Sequence, residues 1–249
     1  MTTAAELASY ASSFPSFRNR IINGNLSNPI NQRGAGSITA STGYTYDRWY
    51  YDGSTYLYQG IEDKNVNNGT YVISWEGSGI NAAWKVSTDT TAGNGPDATT
   101  DFLSVSNGGT FTVNEGTEYS KHLWIRFDGT LANLDKVQVE EGTVATPFEH
   151  RPYGTELGLC QRYFCKIITG SGPHAVNGAS LVIPHSYPTT MRVSPDLTET
   201  IVTSSGNQAA GYPGFNSYGK DGFNCVHAPN TTAGTNLFAN YSVIAKAEL

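Results

Sequence analysis

The chain has 249 residues, a net charge of -6 and only 14% charged residues. No run of lysine and arginine occurs, which argues against nucleic acid as a partner. No apolar run approaches the roughly 20 residues that a membrane-spanning helix needs, so no membrane insertion is expected. Scarce charge beside 27 glycines and 15 tyrosines points to short strands joined by tight turns, since helices draw on Glu, Lys, Leu and Ala.

Residues 1 to 18 stand apart. Ala4 to Ala11 predicts a short helix, which must dock on something to be ordered. The segment is either a frayed terminus or a docking and oligomerisation element. It shows no basic region followed by an apolar core, so it is not read as a secretory signal, and folding is expected in the cytoplasm where the protein is made.

From Ile21 to His150 the pattern predicts strands. Tyr44 to Tyr51 reads as one strand, with Tyr44, Tyr46, Arg48 and Tyr50 on one face and Thr45, Asp47, Trp49 and Tyr51 on the other. Asn67-Asn68-Gly69 predicts a turn, followed by a strand with Tyr71, Ile73 and Trp75 on one face. Strands are predicted at Ala82 to Val86, Phe102 to Val105, Gly109 to Val113, His122 to Phe127 and Leu134 to Glu140, with 88–100 a polar loop. In the last strand the face carrying Val137 and Val139 is the one expected to be buried. About eight short strands in roughly 130 residues predict an antiparallel sandwich of jelly-roll type.

Two prolines and a glycine between Ala145 and Gly154 mark a domain boundary. Thr155 is placed as the cap of a helical turn reaching Leu159, and Gln161 to Ile168 as a strand. Further strands are predicted at 180–183, ended by Pro184, at Leu197 to Val202, at Phe223 to His227 and at Tyr241 to Leu249. The whole reads as all-β: a segment 1–18, a jelly roll 19–152 and a smaller β-sandwich 153–249.

Chemistry-bearing motifs are scarce. Cys160, Cys165 and Cys225 form an odd, sparse set that implies no disulfide framework and reads as small buried thiols. The five histidines are scattered, without zinc-ligand spacing. No Gly-x-Ser-x-Gly elbow and no phosphate loop occur. Glu140 and Glu141 are adjacent and so face opposite ways on a strand, unlike a glycosidase pair. A non-enzymatic role is expected. Aromatic residues carry more information, because Tyr and Trp faces with Asn and Asp are tools of sugar recognition. The densest group lies between Tyr44 and Tyr58. Trp49 and Trp75 read as core, and Tyr56, Tyr58 and Trp84 as the glycan-facing candidates.

Several stretches resemble a family of tailed-bacteriophage proteins. Asn19-Arg20-Ile21-Ile22-Asn23-Gly24-Asn25 with Asn31-Gln32-Arg33 resembles its opening strand and loop, and Tyr46-Asp47-Arg48-Trp49 its Asp-Arg-Trp strand. Most specific is the block Val137 to Gly154, running into Glu156 to Phe164, which is similar to the domain junction of phage tail-fibre and virion-surface proteins. Pro188 to Arg192 and Ala247-Glu248-Leu249 resemble the family's C-terminal domain.

The resemblance implies a carbohydrate-binding-module-like jelly roll whose opening segment lies beside the closing Asp135 to Val139 strand. It also implies a homotrimer on the virion, contacting other virion proteins through the N-terminal segment. Some members hold a structural calcium, which makes Asp135 the metal candidate, with backbone carbonyls around Asn25 to Asn28. The alternative for Asp135 is an exposed or hydrogen-bonded carboxylate, and no other cofactor is implied. Two functions remain open: attachment to a host-surface glycan or receptor as a short tail fibre or surface fibre, and a structural capsid, neck or tail decoration or adaptor. No long shaft precedes the first domain, which favours the short or structural forms. A polysaccharide-degrading spike would need paired acids and a larger catalytic domain.

Overall fold

The computed structural model describes residues 17–62, 65–87, 101–114, 122–174, 181–205, 214–216, 218–227 and 237–248. The expected N-terminal helix and the 88–100 loop lie outside them. The fold is all-β, with antiparallel pairing throughout the described strands.

Nine strands build the first sandwich: β1 Gly43–Tyr44, β2 Tyr50–Tyr51, β3 Leu57–Ile61, β4 Gly69–Glu76, β5 Ile80–Ser87, β6 Leu103–Val105, β7 Thr110–Val113, β8 His122–Gly129 and β9 Asp135–Glu141. They form a six-stranded sheet, β1-β2-β3-β8-β5-β6, facing a three-stranded one, β7-β4-β9. Period-two alternation supplies the core between them. Leu57, Leu123, Ile125 and Phe127 come from one sheet, and Tyr71, Ile73, Val137 and Val139 from the other. Trp49 is fully buried there and Trp75 nearly so, as expected.

The opening segment lies along β9, as the resemblance implies. The Arg20 amide donates to the Val139 carbonyl at 2.7 Å and the Val137 amide to that of Gly24 at 2.9 Å. The approach at Gly24 is so close that a Cβ there would sit 2.3 Å from the Val137 carbonyl oxygen, so glycine is required. Asn23, at φ 61°, bonds both ways with Ile30, donates to the Asp47 carbonyl, and accepts at its own carbonyl from the Trp49 indole N–H at 2.8 Å.

Two readings of this region are corrected. Tyr44 to Tyr51 is not one strand. It is a tight hairpin, with Gly43 opposite Tyr51 and Tyr44 opposite Tyr50. The Thr45 amide bonds to the Trp49 carbonyl, and Arg48 turns the chain at φ 73°. On β9 both faces are buried, not the valine face alone: Gln138 is 0% and Glu140 3% exposed. The chain leaving β9 folds back over them, so that Glu140 accepts from the Thr146 amide and hydroxyl and Gln138 accepts from the Glu149 amide.

Helix α1, Tyr153–Gln161, leads into the second sandwich. Its N-cap is Pro152, without a side-chain cap bond, so the helix starts before Thr155, the expected cap, and runs through Gln161. Strands β10 Phe164–His174, β12 Asp196–Ser205 and β15 Leu237–Lys246 form the sheet β10-β15-β12, and β11 Leu181–Ser186, β13 Gly214–Asn216 and β14 Gly222–His227 form β11-β14-β13. Pro184 sits inside β11 and does not end it. Among the described strands β11 lies at the edge, paired with β14, where a missing N–H is tolerated. Cys165, Met191, Phe223, Cys225, Tyr241 and Val243 fill the space between the sheets. The three cysteines are buried.

A charged seam joins the sandwiches. Arg48, 1% exposed, pairs with Glu248, 2% exposed, donates to the Gly60 carbonyl and stacks 3.6 Å from the Tyr163 ring centroid. Arg33 reaches the same Glu248 at 2.6 Å and Asp47 at 3.6 Å, with its guanidinium 3.8 Å over the Phe164 ring. Gln32 donates to Asp47 and to the Phe164 carbonyl, both at 3.0 Å. Beside it, Glu62 pairs with Arg162 at 2.9 Å and Arg192 at 4.0 Å. Burial alone would lower the Arg48 pKa, but the charge of Glu248 holds it above the ordinary value. Within the resemblance motif Asp47-Arg48-Trp49, Arg48 thus reaches the second sandwich directly, Asp47 holds the Gln32 and Arg33 that also reach it, and Trp49 stays in the first core.

Candidate functional site

Strands β2, β3, β8, β5 and β6 lie side by side, so alternate residues share the outer face of the large sheet. The register sets Tyr44 against Tyr50, Tyr50 against Tyr58, Tyr58 against Arg126, and Arg126 against Ala83. The rings at these positions touch in sequence. Centroid separations are 5.3 Å for Tyr44 and Tyr50, 6.3 Å for Tyr50 and Tyr58, 6.1 Å for Tyr56 and Tyr58, and 5.9 Å for Tyr58 and Phe102. The Arg126 guanidinium lies over Tyr56 at 4.3 Å and Phe102 at 4.7 Å. Lys85 stands 6.0 Å from the Phe102 ring. The result is an aromatic strip across the sheet, edged by two cations.

Tyr58 is the floor of this strip, 1% exposed, while Tyr50, Tyr56, Phe102, Lys85 and Arg126 are half-buried around it. Its buried end continues into Trp124, Cys160 and Tyr163, with Leu157 and Leu159 of α1 packed alongside. Burial raises the Tyr58 hydroxyl pKa, and the negative charge of Asp52 adds to it against the opposing Arg126, so the phenol stays neutral. Asp52 also fixes Tyr56. Its carboxylate accepts from the amides of Ser54, Thr55 and Tyr56 at 2.8, 2.8 and 3.0 Å. Burial alone would raise its pKa, but these bonds bring it below the ordinary carboxylate value.

Of the three glycan-facing candidates, Tyr56 and Tyr58 come together and Trp84 does not join them. Trp84 points to the opposite side of β5, where it stacks on Phe111 at 4.8 Å and borders the first core. Tyr58 is corrected from surface to floor, because the Tyr50, Tyr56 and Phe102 rings close around it. Sequence reasoning missed Phe102, Arg126 and Lys85. Arg126 and Lys85 occupy outward positions of alternating strands, but only the β8 register shows that Arg126 meets Tyr58.

The metal candidate is Asp135. Its Oδ1 accepts from the amides of Leu26 and Ser27 at 2.8 and 3.0 Å, and its Oδ2 accepts from the Ser27 hydroxyl. Burial would raise its pKa, but the Ser27 hydroxyl and these amides lower it. The groups turned toward this carboxylate carry hydrogens, whereas calcium binds oxygen lone pairs. The residues as arranged therefore do not fit the ion, and match the hydrogen-bonded alternative. Among the described residues no three His, Cys, Asp or Glu side chains gather as a metal set. Burial raises the Cys160 thiol pKa well above its ordinary value and pushes Cys165 up to about 11, which leaves both as weak nucleophiles.

No family model matches the sequence, and no curated protein matches it. Among solved structures the chain is similar to recombinant discoidin II of Dictyostelium discoideum, at 9% identity, with 93% of each chain covered and a TM-score of 0.29. At that distance neither fold nor ligand transfers.

Proposed function

We propose that this chain is a bacteriophage virion protein, a short tail fibre or surface fibre, that attaches to a host-surface glycan through the strip of Tyr50, Tyr56, Phe102 and Arg126. The observation that carries the glycan reading is the strip itself. Half-buried Tyr50, Tyr56 and Phe102 are held 5.9–6.3 Å from the buried Tyr58 ring on one sheet face, an arrangement that supports stacking of their open faces on sugar rings. Arg126, held between two rings, is pre-placed to bond hydroxyls or an acidic group. The virion role rests on the resemblance of the Val137 to Phe164 block, and a homotrimer accompanies it.

The test is binding of labelled protein to host cells and to their extracted polysaccharides, with free phage as competitor. Saturable binding that blocks adsorption supports attachment. Tyr56→Ala and Phe102→Ala each weaken it about tenfold or more, as losing one well-packed aromatic contact does. A second reading, a structural decoration or adaptor, has one observation in its favour: the resemblance residues Asn19, Asn23, Arg48, Glu140 and Arg151 are occupied in internal bonds. No binding by folded, assembled protein would select it.

A further inference from the structure

A second concavity opens where the opening segment meets the chain that leaves β9. It holds about 230 Å³ and is lined by Asn25, Asn28, Phe148, His150 and Tyr153, with Arg151 at its back. We propose that this cleft binds a single uncharged sugar ring, separately from the aromatic strip; neither site rests on the other.

Size sets the first limit. Pockets for drug-sized ligands hold about 300–1,000 Å³, so this one suits one ring rather than a chain. Its back wall is rigid. The Arg151 side chain is 4% exposed and donates to the carbonyls of Ile21 and Asn19. It also pairs with Glu149 at 3.3 Å and Glu156 at 3.2 Å. Glu149 in turn accepts from the amides of Arg18 and Asn19 at 3.1 and 3.0 Å, and Glu156 from the amide of Asn23.

Charge sets the second limit. Two carboxylates face one guanidinium in this wall, so an anionic ring meets net repulsion. The carboxylates are already bonded, which leaves recognition to the front. There the Asn25 and Asn28 side-chain amides have no hydrogen bond among the described residues, and each offers donors and an acceptor, the match for neighbouring hydroxyls. Phe148 and His150 meet edge to face at 5.0 Å. Tyr153 is 68% exposed and packs into no core, so its ring is available to cover one face of a sugar.

The experiment is isothermal titration, backed by ligand-observed saturation-transfer NMR, of the full chain with glucose, galactose, mannose and N-acetylglucosamine, and with glucuronic acid as the anionic control. At least one neutral monosaccharide binds with Kd on the order of 1 mM. Tyr153→Ala and Asn28→Ala each weaken it about tenfold or more, while Tyr56→Ala leaves it unchanged. Both substituted side chains are exposed, so melting temperatures match the wild type. Glucuronic acid binds at least about tenfold more weakly than the best neutral sugar. The proposal is overturned if no neutral monosaccharide binds, if glucuronic acid binds best, or if Tyr56→Ala removes the binding instead.

Discussion

Glu248→Ala tests the charged seam most directly. The wild-type carboxylate is shared by Arg48 and Arg33, and both Arg48 and Glu248 are almost fully buried. Without it Arg48 keeps, among the described residues, the Gly60 carbonyl and the Tyr163 ring, neither of which neutralises its charge, and Arg33 keeps Asp47. Removing one partner of a buried pair costs about 3–5 kcal/mol, far more than the pair itself is worth. For a chain of this length each kcal/mol moves Tm by about 2–4 °C, so a fall of about 6–20 °C is expected. Because the lost bonds lie between the sandwiches, calorimetry should also resolve two transitions in the variant and one coupled transition in the wild type. The double variant Arg48→Met, Glu248→Leu should cost less than the two single changes summed, with a coupling of about 0.5–3 kcal/mol. A Glu248→Ala protein within about 1 kcal/mol of wild type, the value of an exposed pair, would refute the reasoning.

The Asp47 carboxyl is pushed up from 3.8 to about 6, by burial first, with Gln32 and Arg33 opposing and Glu248 adding to the rise. The folded chain therefore holds a proton that the unfolded chain releases between those values, and this group's contribution to stability declines as pH rises from 3.8 to about 6. Urea unfolding at several pH values should show that slope, and Asp47→Asn should flatten it by up to about 3 kcal/mol. Trp49→Ala removes a fully buried ring and its bond to the Asn23 carbonyl, so denaturant melts should show a loss of about 3–5 kcal/mol. Asp135→Ala should lower the melting temperature by freeing the Leu26 and Ser27 amides, whereas a chelator added to wild type should leave it unchanged.

Much of the first sandwich is legible in the sequence because period two survives wherever one face meets a core. Tyr71, Ile73 and Trp75 on β4 and Val137 and Val139 on β9 show it plainly. Composition could not separate a strand from a hairpin at Tyr44 to Tyr51. Both share the same tyrosines and threonines, and the reversal depends on Arg48 adopting φ 73° to reach an acid far along the chain. Gln138 and Glu140 alternate like solvent-facing residues, yet Thr146 and Glu149 bury them. The candidate surface was half visible. Tyr56 and Tyr58 stand out as aromatics, but their union with Phe102 and Arg126 is a matter of strand order, which the sequence pattern does not carry. Trp84 reads as a surface candidate by residue type alone, whereas period two sets it beside Ala82 and Val86 on the face that meets the core.

The seam also has a history within each newly made molecule. Glu248 follows Arg48 by 200 residues, and chains grow at about 5–20 residues per second. The first sandwich is complete only once β9 has been made, to Glu141, so for about 5–20 s it waits on the ribosome with its arginine clamp unfilled. The Asp47-Arg48 corner can close in its final form only once that late carboxylate arrives. Docking of the second sandwich is therefore the step that finishes the first, and an error in the later half of translation is felt in the earlier half of the fold.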